Sequence, residues 1–327
     1  MHTAIPLTVL ATALACSLFT APAQAQRART FVASYGNDSN PCTFASPCRT
    51  FQVAVNTVAL SGEVTAIDSA GFGPINITKS VTITSPDGVE AGIVPNANSP
   101  AITINGAVDV YLRGLTIEGN SSGSDGISLN GFAENLSIVH CQIRHFLHDG
   151  ILLQPTFLLT LSIRDTVVSD NDVNGIDLSP SGNSAGLLAN IDHATTNHNG
   201  LAGINVNGAN SSPPIAFDNL LAITIVNSVA SNNGENGFKA HSTPGTMPLL
   251  VVIRDSVASS NRVDGVLFDA NSNGFAEMAV SHSTAVGNGS HGLENNSASV
   301  FQTYNDNAVT LNLLSDTSGN FSQVSFH

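Results

Sequence analysis

Tryptophan is absent from the 327 residues, tyrosine occurs three times, and aromatic residues make up only 6%. A core here must therefore be built from branched aliphatic and small side chains. Charge is equally scarce: 10% of residues are charged, and ten Lys and Arg face 24 Asp and Glu, for a net charge of −14. Such a surface repels phosphate backbones, which excludes nucleic acid as a partner. The four cysteines are too scattered to support a paired-cysteine zinc site. No apolar run reaches the ~20 residues that a membrane-spanning helix needs, which argues against membrane insertion. What is abundant is Gly, Asn, Ser and Thr between short Val, Ile and Leu runs, the profile of many short strands joined by many turns. A single all-β domain can fill this length.

Residues 1–25, "MHTAIPLTVLATALACSLFTAPAQA", join an apolar run to the small-x-small ending Ala23-Gln24-Ala25 and read as a signal peptide, although the n-region holds only His2. A lipoprotein reading through Cys16 meets a poor box in Ala13-Leu14-Ala15. Export places the chain outside the cell or in the periplasm. There, Cys42 and Cys48 in "NPCTFASPCRTF" are expected to close a disulfide on a small loop, leaving Cys141 as a buried small hydrophobe. Thr50 is a plausible N-cap and Gly62 a stop for a short helix that puts Phe51, Val55 and Val58 on one face. Residues 26–62 are thus expected to form an N-terminal cap.

Beyond the cap the chain repeats. Glycines 126, 150, 175, 203, 237, 265 and 292 are spaced 24, 25, 28, 34, 28 and 27 apart, and five of them close an Asn-x-x-x-Gly. Seven nine-residue frames align without a gap, among them "IVHCQIRHF" (138–146), "IRDTVVSDN" (163–171), "IDHATTNHN" (191–199) and "IRDSVASSN" (253–261). Each opens on an apolar residue with another two before it, as a half-buried strand does, and each glycine is followed by a second apolar-led strand. Every copy therefore reads as strand, turn, strand and loop. A unit this short cannot bury its own apolar face, so the copies must stack in parallel.

At 24–28 residues per coil this resembles the right-handed parallel β-helix, the solenoid of pectate lyases and their relatives. The resemblance covers about residues 63–315, leaves 316–327 as a C-terminal end, and implies an all-β fold with a short capping helix. "RTFVASYGNDSNPCTFASPCRTFQVAV", followed by "GFGPINITKSVTI", looks like the opening of a family of exported bacterial β-helix proteins, which implies fold and export but no particular activity.

Stacking makes equivalent positions of adjacent copies neighbours about 4.8 Å apart. The third column of the frame then places His140, Asp165 and His193 in a row, and the eighth places His145, Asp170 and His198 in another, with Arg164 beside the first and His148 and Asp149 just ahead of Gly150. One reading is a polysaccharide site. Uronate lyases and epimerases need a base, an acid and a cation, and His140, Asp165, His193 and Arg164 supply those types, with His145, His148, Asp149, Asp170 and His198 as substrate contacts. With so few basic residues an anionic polymer would call for bound calcium, yet no calcium repeat and no diagnostic metal-ligand spacing occurs, so no metal residues are assigned. The opposing reading is a non-catalytic surface or adhesion rod in which these columns are turn ladders, as the Asn column at 171, 199, 233, 261 and 288 is expected to be. The two differ in whether the His and Asp rows face outward into a groove. Whether the chain is an enzyme, and its oligomeric state, stay open on sequence.

Overall fold

In the computed structural model, residues 27–182, 184–211, 220–270 and 275–324 are described. Residues 1–25, read above as a signal peptide, lie outside them. Among the described residues the chain winds into a parallel β-solenoid of three sheets. The first has twelve strands, from Arg27–Val32 and Val58–Ala66 to Ser322–Val324; the second and third have ten each, running from Ala70–Gly71 to Ala308–Thr310 and from Ile75–Ile77 to Ser315–Gly319. Every pairing is parallel and joins one coil to the next. A representative coil runs through Leu158–Arg164 in the first sheet, Val167–Ser169 in the second and Ile176–Leu178 in the third.

Like residues stack because pairing in register places them one strand apart. Val64, Ile83, Leu112, Ile138, Ile163, Ile191, Ile225, Ile253 and Val280 form one buried column of the first sheet. The expectation of two strands per copy is corrected to three. The nine-residue frame bends at its third residue, so its first two positions end a strand of the first sheet and its fifth to seventh form a strand of the second.

The expected short helix and disulfide are present near the start of the described chain, with one change. Helix α1 (Phe51–Thr57) is capped by Thr50, whose hydroxyl accepts from the Val53 N–H, and buries Phe51, Ala54 and Val55. It ends at Thr57 rather than at Gly62: Val58 is already extended and opens the strand Val58–Ala66, within which Gly62 packs too closely on Ala28 O for a Cβ. Cys42 and Cys48 form the disulfide, both buried beneath the helix-bearing end, and Cys141 is buried with its thiol raised to about 11 by desolvation. No helix among the described residues is long and apolar enough to cross a membrane.

Candidate functional site

Which polar columns are free to meet a ligand depends on which the backbone already uses. In the Asn column, Asn199 donates its N–H and Nδ2 to Asn233 Oδ1, both at 3.1 Å, and Nδ2 also reaches Val168 O. Asn233, Asn261 and Asn288 repeat this, and Asn312 carries the ladder one coil further. The glycines beside it are fixed by proximity rather than by unusual φ: a Cβ on Gly237 would lie 2.6 Å from Gly265 O and 2.8 Å from Asn261 Nδ2. A second ladder runs up the column of Cys141, where Ala194, Ser228 and Ser256 donate their N–H groups to Ser228, Ser256 and Ser283 hydroxyls. Both ladders are buried and fully engaged, so they hold coils together and offer nothing to solvent.

The His and Asp columns differ in kind. Residues 140, 165, 193, 227, 255 and 282 all have φ between 47° and 53°, and His145, Asp170, His198, Asn232 and Ser260 between 54° and 60°. These are the two left-handed corners that turn the chain out of the first sheet and out of the second. Gly, Asn, Asp and His tolerate that conformation best, which accounts for the residue types found there. The side chains point outward: His140, His193 and Arg164 are more than half exposed.

Contacts are made, but not as two His-Asp-His rows. His140 Nε2 lies 3.5 Å and Arg164 Nε 3.7 Å from the same Asp165 Oδ2. His193 is not in that group; its Nδ1 lies 2.7 Å from Asp192, whose carboxyl is held below its usual range by the Asn227 amide and then by His193. His145 Nδ1 meets Glu118 at 2.7 Å, not Asp170. Burial pushes Glu118 up, but its bonds to Arg144 and His145 outweigh this and hold it low. Asp170 and His198 stand exposed at the second corner without a side-chain partner among the described residues. His148 is exposed, 4.0 Å from Asp125. Asp149 is buried and accepts both the N–H and Nδ2 of Asn174, which places it in the wall between coils rather than on a binding surface.

The His140, Asp165 and Arg164 group lies just past the strand residues that line a groove. A shallow depression of about 390 Å³ lies on the outer face of the first sheet, lined by Ser80, Asp109, Tyr111, Asn135, Ser137 and Ser162 among others. Side chains alternate along a strand, so Arg113 follows Tyr111, and Arg164 follows Ser162, on that same face. In register, Arg113 and Arg164 flank the buried Val139, with His140 at the adjoining corner. A second depression of about 340 Å³ on the second sheet is lined by Glu90, Thr116, Glu118 and Arg144, and His145 stands at its edge. Calcium wants six to eight oxygens. Near the first groove, however, Asp109 is taken by Asn135, Asp165 by His140 and Arg164, and Asp192 by His193 and Asn227. This set does not fit calcium, and no step below is routed through it.

Residues 61–220 match the family model described as the right handed beta helix region. A solved rhamnogalacturonan lyase superposes with a TM-score of 0.64 at 14% identity, over 90% of this chain and 84% of its own. A pectate lyase does so with a TM-score of 0.53 at 15% identity, over 91% and 76%. The chain is a right-handed β-helix repeat protein. Among curated proteins none matches its sequence. At these identities the solved structures show the fold of this β-helix and nothing finer.

One further column of the β-helix carries titrating groups that sequence reasoning assigned singly or missed. The positions just before the glycines run Asp125, Asp149, Asn174, Ala202, Asn236, Asp264 and His291. Its Asp and Asn side chains accept the N–H of the next coil, as Asp125 does from Asp149 and Asn236 from Asp264. Desolvation, then the nearby Asp177 charge, raises Asp149 to about 7. Burial likewise raises Asp177. At the far end, Asp264, His291 and Glu294 come together within 4.8 Å. The signal for this trio was legible: two residues one period apart in one column, the third three residues on.

Proposed function

We propose that this β-helix is an exported protein that takes an acidic, uronate-bearing polysaccharide along the groove of the first sheet, with Arg113 and Arg164 receiving sugar carboxylates. The carrying observation is that Arg113 and Arg164, on either side of Val139, share one strand face with the groove and adjoin the His140 corner. Rows of hydroxyls and amides at strand spacing suit sugar hydroxyls, and Tyr111 offers a face with a polar tip. The net charge of −14 opposes an anionic polymer everywhere else, which makes the local arginines decisive. The polysaccharide-lyase names of the two superposing structures support the substrate class.

The chemistry these residues support is elimination or epimerisation beside the carboxylate. Arg164 holds the carboxylate; His140, oriented by Asp165, removes the adjacent proton; the electron pair forms the new double bond, and the glycosidic oxygen leaves with a proton from His193 or solvent. A second reading, binding without turnover, is favoured by the left-handed corners, which already explain why His and Asp occur there. A screen on uronate polymers separates the two, reading absorbance of unsaturated products alongside binding. Product formation that Arg164→Ala and His140→Ala each abolish supports catalysis; binding lost in Arg164→Ala with no product supports the binding module; neither signal sinks the polysaccharide reading.

A further inference from the structure

The Asp264, His291 and Glu294 trio lies away from both grooves. Asp264 and His291 are consecutive in the column before the glycines, and Glu294 is on the outer face of the third sheet. Asp264 Oδ1 is 3.1 Å and Glu294 Oε1 3.5 Å from His291 Nδ1. Metal–nitrogen and metal–oxygen bonds of about 2.0–2.2 Å at tetrahedral angles put neighbouring ligand atoms roughly 3.3–3.6 Å apart; both distances to His291 Nδ1 are near that span, and all three ligand atoms lie within 4.8 Å of one another.

Two independent observations point to a cation. The Asp264 side chain is 1% exposed, yet among the described residues no donor outside the trio reaches it; its contacts are the backbone and ring nitrogens of His291 and the Glu294 carboxyl. No Lys or Arg pairs with any of the three among the described residues. A buried carboxylate facing a second carboxylate, with a single imidazole between them, is costly unless a proton or a metal intervenes. The column, moreover, does not need charge: Asn174 and Asn236 do the same backbone work, Asn174 accepting from Ala202 and Asn236 from Asp264.

We propose that Asp264, His291 and Glu294 bind one divalent transition-metal ion of the zinc class, strapping two adjacent coils together. One imidazole and two carboxylates suit zinc, whereas calcium would want more oxygens. The half-buried His291 and Glu294 leave the remaining coordination position open to water.

The test is calorimetric titration of the chelator-treated full chain with Zn²⁺, paired with thermal melts. The expected result is one saturable equivalent and a melting temperature raised by roughly 5 °C at about a hundredfold excess over the dissociation constant. Asp264→Asn preserves the ladder, since Asn fills the column at 174 and 236, and should fold normally while losing both signals; Glu294→Gln should do the same. No saturable equivalent in the parent chain, or an undiminished shift in both variants, would overturn the site.

Discussion

Two sets of columns climb this solenoid, and they solve different problems with overlapping residue types. The inner set, Asn171 to Asn288, Thr166 to Ser283 and the Asp and Asn residues before the glycines, is buried and spends its polar atoms on backbone and side-chain groups of the adjoining coils. The corner set, His140 to His282 and His145 to Ser260, is chosen for tolerance of the left-handed conformation and leaves its side chains in solvent. Hydrogen bonding selects the inner set and backbone conformation the outer. The outer set is therefore the one free to meet a polymer at the surface.

Breaking the inner set should have the largest effects. Gly237→Val drives a branched side chain into Gly265 O and Asn261 Nδ2 and should abolish folding or cost more than about 4 kcal/mol, read by urea unfolding. Asn233→Ala strands the donors of Asn199 and the acceptor Thr196 O and should cost ~4 kcal/mol in the same assay.

Asp149 sharpens the comparison by adding a proton to an inner column. Its pKa is 3.8 ordinarily and about 7 when folded, so between those values the folded state holds the proton more tightly. Stability contributed by this group is full below pH ~4 and is lost as pH rises towards ~7, by on the order of 4 kcal/mol. Asp149→Asn, which matches Asn174 above it, should flatten that slope and melt higher than the parent at pH 8. A parent whose stability rises between pH 4 and 7, with the variant unchanged, would contradict the assignment.

The corners should respond least. His193→Gly removes a half-exposed side chain from a position glycine adopts freely and should change stability by less than ~1 kcal/mol, whereas His193→Val should destabilise by ~1–3 kcal/mol because a β-branched residue resists φ of 53°. Equal effects from both would deny the conformational origin of the column.

These distinctions mark what could be read from the sequence. The period, the stacking, the Asn ladder and the Thr50 cap are legible because each follows from spacing plus one residue's chemistry. The bend at the frame's third residue is not, since a single left-handed residue turns the chain without the Gly or Pro that usually marks a corner. For the same reason the His and Asp columns look like chemistry when they are first a conformational choice, and the neighbours His148 and Asp149 look alike though one is exposed and the other buried. Pairing was legible only within columns, so the contacts of His193 with Asp192 and of His145 with Glu118 escaped it.

The most direct test of the groove on the first sheet is polymer binding by an Arg113→Ala, Arg164→Ala double variant, measured beside its unfolding midpoint. The account predicts an unchanged midpoint with binding to uronate polymers lost. Binding retained at parental affinity, or lost only together with the fold, would contradict it.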